Sequence, residues 1–355
     1  MTLAHLAAEN FRCFAHLEIS PDPDRNLIIG PNGAGKTSLL EAIYFLGRGR
    51  SFRAGEPASL RREGSRQFTL AGQVVRRPRR IPVGIRFEPG RTEVRIDGRD
   101  TASLAELAEL LPVQVIEPGA HKLVEEGPAR RRRFLDWGAF HVEPRFLDAW
   151  RRYQRALRQR NAGLKRGLSD AALQGFETAL VAAGETVGAF RARHVEGLKP
   201  LLESASRQVL EVSVECDYAP GWPAGKSLAE ALEEGRSADR RNQSTKAGPH
   251  RADLHLRIQH RAARERVSRG EQKLLAASLI LAQIDLLAAR GRAPGVLLVD
   301  DPAAELDRNH LERFLEAVLG RPAQLYITAL HADIPRLEQG ARVFHVEQDG
   351  HVEML

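Results

Sequence analysis

The chain has 355 residues, 43% of them hydrophobic and 28% charged, which excludes wholesale disorder and leaves room for a large α/β domain with an elaboration, or for two domains. Its formal net charge of +7 rests mainly on arginine, since only seven lysines are present. Such a balance points to a polyanionic partner, nucleic acid before an acidic membrane surface, although biased codon usage yields the same composition. The two cysteines, Cys13 and Cys216, exclude a cysteine-only zinc site and a disulfide framework, as in a reducing cytosol.

In chain order, His5, Glu9 and Arg12 break up any apolar N-terminal stretch, so no signal peptide is expected. Short apolar runs, such as Leu27-Ile28-Ile29 and residues 81–85, alternate with Gly, Pro and Asp turn signals and predict a sheet-rich first third. Residues 94–96 followed by Asp97-Gly98 predict a strand and a hairpin turn. From 130 to about 210 the pattern is helical. Phe146, Trp150, Tyr153, Leu157 and Leu164 form one apolar stripe, and Arg151, Arg152, Arg155, Arg158 and Arg160 are assigned to the remaining faces. A solvated helix surface is the simpler reading of those arginines, ahead of a dedicated DNA stripe. After a loop at 217–225, Gly248-Pro249-His250 opens a second α/β half. The apolar segment 274–289 contains Gln283 and Asp285 and stops short of a bilayer span, so it predicts a buried helix in a soluble, cytoplasmic protein without a membrane partner. No repeat, low-complexity tract or heptad pattern is present.

Three segments carry chemistry. Gly30-Pro31-Asn32-Gly33-Ala34-Gly35-Lys36-Thr37 satisfies G-x-x-x-x-G-K-[ST] between a strand and the helix opened by Ser38. Its glycines let backbone N–H groups turn toward the phosphates of ATP, Lys36 reaches the β and γ phosphates, and the Thr37 hydroxyl binds Mg²⁺. Downstream, Val296-Leu297-Leu298-Val299-Asp300-Asp301 is an apolar strand ending in two carboxylates. Asp300 is the predicted Mg²⁺ partner and Asp301 the residue that orients or deprotonates water. A buried strand ending in solvated aspartates is the plainer alternative. Between these, Ser268-Arg269-Gly270-Glu271 begins a helix and reads either as a phosphate contact or as an ordinary capping box.

The order of phosphate loop, Ser-x-Gly helix start and acid pair resembles the ABC-type ATPase head. Further segments resemble the RecF family of bacterial DNA repair proteins: Asn10-Phe11-Arg12, Leu39-Leu40-Glu41-Ala42, Ser51-Phe52-Arg53, Gly127-Pro128 with Arg131-Arg132 and Phe134-Leu135-Asp136, Gly248-Pro249-His250-Arg251-Ala252-Asp253, and Ser268-Arg269-Gly270. The resemblance spans almost the whole chain. It implies an α/β ABC-type head (a P-loop NTPase) built from both ends, 1–115 and 246–355, with a mainly helical second lobe, 116–245, inserted between them. About 230 residues between Lys36 and Ser268 are too few for a long coiled coil. It also implies an ATP-dependent homodimer on gapped, single- or double-stranded DNA, in which Ser268, Arg269 and Gly270 complete the partner's site, and Ala304-Glu305-Leu306-Asp307 crosses the interface. Loading of RecA with RecR and RecO, slow DNA-stimulated hydrolysis as a release timer, and a nucleotide contact by Arg12 follow by the same resemblance.

Candidate DNA-contacting patches are Arg61, Arg62 and Arg66; Arg76, Arg77, Arg79 and Arg80; and residues 130–133. Asp301 stands where many ABC ATPases carry Glu, as is usual in this family, and Ala304 where Ser is common. His331 is a candidate switch histidine that fits its position poorly, Gln114 a weak candidate γ-phosphate sensor, and His250 either a nucleotide contact or a packing residue. The rivals are a transporter's nucleotide-binding subunit and a DNA clamp that binds ATP without turnover.

Overall fold

Runs of consecutive apolar residues and runs of alternating ones end in different sheets. The computed structural model describes residues 1–76, 78–293, 295–304, 306–332 and 340–355, so Arg77 and Glu305 of the segments above lie outside the described residues. By residue contacts the chain divides into two units, Met1–Ala120 with Ala276–Leu355, and His121–Leu275. Residues 246–275, with the Ser268 segment, therefore pack within the second unit.

In the first unit, strands Arg25–Ile29 (β3), Val113–Ile116 (β8), Val296–Val299 (β12), Gln324–Ala329 (β13), Arg342–Val346 (β14) and Val352–Met354 (β15) form a sheet in the order β15-β14-β3-β13-β12-β8. All its pairs are parallel except β14 with β15. β12 and β13 are buried at every position, which is why they read as unbroken apolar runs. Strands Thr2–Phe11 (β1), Phe14–Ile19 (β2), Phe68–Arg76 (β4), Arg79–Glu88 (β5), Arg91–Ile96 (β6) and Arg99–Thr101 (β7) form an antiparallel sheet in the order β2-β1-β4-β5-β6-β7. Here β4 alternates between buried and half-buried positions from Phe68 to Val75, the pattern of a sheet with one packed face. Asp97 and Gly98 both take positive φ, 52° and 76°, as a two-residue hairpin turn requires.

Helix Lys36–Arg48 (α1) is buried along most of its length and shares one core with residues of both sheets. The Phe68 ring lies 5.4 Å from Phe45 of α1 and 5.3 Å from Phe11 and Phe87. Leu104–Leu110 (α2) packs on α1, and Arg308–Leu319 (α9) links β12 to β13. The long apolar helix is Arg269–Ala289 (α8); Leu275, Ala276, Leu279, Leu281, Ala282, Ile284 and Leu287 are buried in the protein, as expected for a core helix.

The second unit holds Lys122–Glu125 (α3), Pro128–Val142 (α4), Phe146–Lys165 (α5), Asp170–Leu210 (α6), Leu228–Asn242 (α7), and a sheet of Glu215–Ala219 (β9), Asp253–Ile258 (β10) and Arg261–Ala262 (β11). Phe146, Tyr153, Leu157 and Leu164 of α5 are buried in its core, with Trp150 at the edge, as the stripe predicts. Arg160 departs from its assignment to a solvated face. It is fully buried, donating to Glu177 at 3.0 Å, Asp239 at 2.7 Å and Thr245 at 2.8 Å. Its position, seven residues after Tyr153 and four before Leu164, puts it on the apolar stripe itself.

Two motif segments that carry the resemblance to the RecF family interlock here. Arg131 makes a two-pronged pair with Asp253 (2.7 and 3.1 Å), Arg132 donates to the Ala252 carbonyl at 2.9 Å, and Arg191 bridges Asp136 to the Pro249 carbonyl. His250 lies between the Tyr153 hydroxyl (2.5 Å from Nδ1) and the Thr245 carbonyl (2.9 Å from Nε2). Because a carbonyl only accepts, Nε2 carries the proton and Nδ1 accepts from Tyr153. His250 is thus a packing residue of this unit. Burial holds its pKa below the ordinary value, with Arg251 and Arg132 adding to the effect and the Thr245 bond opposing it.

Arg160→Ala should destabilise the protein by about 3–5 kcal/mol, because it strands the buried Asp239 carboxylate and leaves Glu177 with Arg236 as its one remaining arginine partner. Arg155→Ala, on the exposed face, should stay within about 0.5 kcal/mol in the same urea titration. His250 binds its proton less readily folded than unfolded, so its contribution to stability is complete above about pH 6.5 and is lost as pH falls below that value. His250→Gln should flatten that part of a stability–pH profile.

Candidate nucleotide-binding site

The phosphate loop leaves the centre of the parallel sheet at the end of β3 and enters α1 at Lys36. Two glycines are required for this path. Gly30 has φ 147°, and a Cβ there would lie 2.2 Å from the Val346 carbonyl oxygen. Gly35 has φ 115°, and a Cβ would meet the Cys13 sulfur at 2.5 Å. Pro31, Asn32 and Gly33 are exposed at the tip, while Ala34 is buried and its N–H donates to the Pro31 carbonyl. No side chain caps α1, whereas Ser169, Ser227 and Asp307 cap α6, α7 and α9. The first N–H groups of α1 thus remain available to an anion.

Lys36 is buried, and its ammonium donates to the Gly30 and Pro31 carbonyls at 2.6 and 2.9 Å. Burial lowers its pKa while the carboxylates of Asp301 and Asp300 oppose that shift, so both acids of the pair act on this amine. The Thr37 hydroxyl reaches both Asp300 oxygens, at 2.9 and 3.1 Å, across 263 residues of sequence. Thr328, at the end of β13, donates to Asp300 at 2.9 Å and accepts the Asp301 N–H at 2.8 Å. Burial pushes the Asp300 carboxyl up, and the two hydroxyls and the positive charge of Arg53 pull it back. Asp301 has φ 45°, a left-handed conformation that aspartate tolerates better than most residues.

One hydroxyl and one carboxylate suit a Mg²⁺ ion that brings phosphate oxygens and water as its other ligands. Among the described residues no group of three or more His, Cys, Asp or Glu side chains is arranged to hold a metal by itself.

Other sequence candidates sit elsewhere or have other partners. Arg12 makes a two-pronged pair with Glu41 of α1 (2.7 and 2.9 Å) and donates to the Ser59 carbonyl. Glu41 is fully buried and also receives the Ser51 hydroxyl. Ser38 is half-buried in the first turn of α1. Gln114 donates to Gln283 at 2.6 Å, and His331 is exposed beyond β13. Ser268, in the second unit, forms the capping box: its N–H donates to Glu271 at 2.7 Å and its hydroxyl accepts the Glu271 N–H at 3.3 Å. Arg269 is exposed and Gly270 half-buried beside it. Thr328 went unnoticed in the sequence because a lone strand-end threonine carries no local signal. Arg53 stood out within a motif but without a role.

The sequence matches the family described as RecF/RecN/SMC N terminal domain over residues 2–352. It is 40% identical to the DNA replication and repair protein RecF of Shewanella baltica (strain OS223) over 353 residues, 98% of each chain. It is also 40% identical to that of Stenotrophomonas maltophilia (strain R551-3) over 358 residues, again 98% of each. The structure resembles that of the recombination mediator protein RecF-ATP in the RecFOR pathway, with TM-score 0.89 and 25% identity over 99% of this chain and 97% of that one. An Smc head bound to the C-winged helix domain of ScpA, at 16% identity and TM-score 0.61 over 100% and 98% of the two chains, shares the fold alone. A phosphate loop joined to its acid pair through Thr37 and Asp300, within end-to-end likeness in sequence and structure, places this chain in the RecF family, on an ABC/SMC-type ATPase head.

Proposed function

We propose that this chain is an ATP-dependent DNA-binding protein of recombinational repair that acts in the cytoplasm. ATP closes two copies head to head on gapped DNA, the complex assists loading of RecA together with RecR and RecO, and slow hydrolysis releases it. The observation that carries this reading is the contact of Thr37 with Asp300, which joins the phosphate loop to the acid pair. RecF-family membership and the likeness to a RecF-ATP structure support it.

In this reading Gly30 to Ser38 wrap the phosphates and Lys36 balances their charge. Mg²⁺, held by Thr37 and Asp300, supplies charge neutralisation at the β and γ phosphates. Asp301 orients or deprotonates the attacking water, with Thr328 fixing its backbone. Ser268, Arg269 and Gly270 complete the partner copy's site. Functionally, 1–115 and 246–355 act as the ATPase head and 116–245 as the inserted lobe, since the Ser268 segment serves nucleotide whichever unit it packs in. Arg12 acts on nucleotide through the position of α1, which it fixes at Glu41. The transporter rival predicts a membrane partner, which family membership disfavours; the silent-clamp rival predicts no turnover, which the intact acid pair disfavours.

Asp301→Asn keeps the tolerance for positive φ and removes the base. It should retain ATP binding and lower DNA-stimulated hydrolysis by about 10²-fold or more in a phosphate-release assay. Unchanged hydrolysis would remove Asp301 from the mechanism. Sedimentation on a gapped duplex should give a two-subunit complex with ATP–Mg²⁺ and not without it, and Ser268→Arg should block that complex while leaving ATP binding intact. A monomer under both conditions would leave the nucleotide site standing and sink the clamp.

A further inference from the structure

A helix that packs one face needs solvent-compatible residues on the other, and mixed charges would serve best, because like charges at i,i+3 and i,i+4 repel. α5 is built otherwise. Arg151, Arg155 and Arg158 fall at i, i+4 and i+7, and Lys165 extends the row by two further turns. At 100° per residue these four lie within about 80° of arc, on the side opposite Tyr153, Leu157, Arg160 and Leu164. All four are exposed, Arg152 and Arg166 flank the row, and Asp148 in the first turn is the one acid on the helix.

These cations have been left without partners, although many other exposed charges of the unit are paired. None of the side chains of Arg151, Arg152, Arg155, Arg158 and Lys165 makes an ion pair or hydrogen bond with another described residue. Elsewhere Arg130 pairs with Glu126, Arg207 with Glu203, Lys226 with Glu234, Arg240 with Asp170 and Arg257 with Asp217. Glu177 of α6 is taken by the buried Arg160 and by Arg236, and Asp239 of α7 by Arg160. In the candidate patch at 130–133, Arg131 and Arg132 are committed inward and Arg130 is paired with Glu126.

The row from Arg151 to Lys165 spans about 21 Å at 1.5 Å per residue, the axial length of about six phosphates along one strand of duplex DNA. We infer that the outer face of α5 is a docking rail for the DNA sugar–phosphate backbone, with Arg151, Arg155, Arg158 and Lys165 each placed to meet a phosphate. The inference rests on the reading of the chain as a DNA-binding protein and says where on the second unit the DNA runs. Contacts of this kind are indifferent to base sequence: they add affinity and salt dependence, and guanidinium groups suit them because each can present two N–H donors to one phosphate. The mutual repulsion along the row is relieved when phosphates approach.

The test is the salt dependence of binding to a fluorescent gapped duplex, with ATP and Mg²⁺, between about 50 and 200 mM salt. The full-length triple variant Arg151→Gln/Arg155→Gln/Arg158→Gln should bind more weakly, with a slope of log affinity against log salt shallower by about 2.7 per bound subunit, or 0.9 per lost contact. A matched variant, Arg207→Gln/Lys226→Gln/Arg257→Gln, removes the same charge from paired positions and should leave the slope unchanged. Equal loss in both variants would reduce the effect to net charge and overturn the rail. So would an unchanged slope in the first variant, including the case in which that variant instead loses an acidic protein partner. Wild-type protein that binds no DNA would overturn the proposed function and the rail together, whereas wild-type binding with an unaffected variant overturns the rail alone.

Discussion

A helix packed into one core with two sheets has almost no polar face to spare, yet α1 must keep one end open to phosphate. That constraint organises the first unit. The aromatic cluster of Phe11, Phe45, Phe68 and Phe87 fills the space toward the antiparallel sheet. Apolar strand residues such as Ile28, Leu298 and Tyr326 fill it toward the parallel one. Deepest inside this packing sits one charge of α1, Glu41, whose buried carboxylate is balanced by Arg12 and hydrogen-bonded by Ser51. A buried charge is tolerated only with such partners, so the turn between β1 and β2, the loop after α1 and the helix itself are held in one register. The open end follows from what is missing: Gly35 offers no side chain, and the first turn of α1 is left uncapped.

The site is therefore less a property of the glycine-rich loop than of a network around it. Thr37 comes from α1, Asp300 from the end of β12, Thr328 from the end of β13, and all meet because these strands are neighbours in a parallel sheet whose C-terminal ends point the same way. Thr328 has a double task, since one hydroxyl both orients the Asp300 carboxylate and anchors the backbone of Asp301. A change at either acid is thus felt at the other. Arg53, brought near by the loop that Ser51 and Glu41 secure, adds positive potential to the same carboxylate.

How much of this was legible in the sequence depended on the range of the signal. The phosphate loop, the apolar strand before Asp300, the Asp97-Gly98 turn and the α5 stripe are written in neighbouring residues, where backbone conformation and burial period act directly. Arg160 was misassigned because periodicity was read through residue type: an arginine was sent to the surface although its spacing placed it on the apolar side. What rescues it is Asp239 and Thr245, about eighty residues away, and no local pattern announces them. Thr328 was illegible for the same reason. The motif residues at 127–136 and 248–253 were visible only by resemblance, and the structure supplies their physical sense as halves of one ion-paired knot.

The parallel sheet also sets a clock on the protein's birth. β3, which launches the phosphate loop, is flanked by β13 and β14, and the Leu3 backbone is hydrogen-bonded to Gln324 across 321 residues. The Gly30 turn rests against the carbonyl of Val346. At ribosomal rates of about 5–20 residues per second, the N-terminal strands wait roughly 15–60 s for these partners to be synthesised. Until then β3 has two unpaired edges and an apolar core half-made, the condition in which nascent chains aggregate. The second unit is contiguous from His121 to Leu275, so its own pairings wait for no partner so distant in sequence. Thr328, which holds both acids, and Val346, against which the Gly30 turn rests, lie in these late strands, so a truncated chain would lack both supports of the phosphate loop and its acid pair.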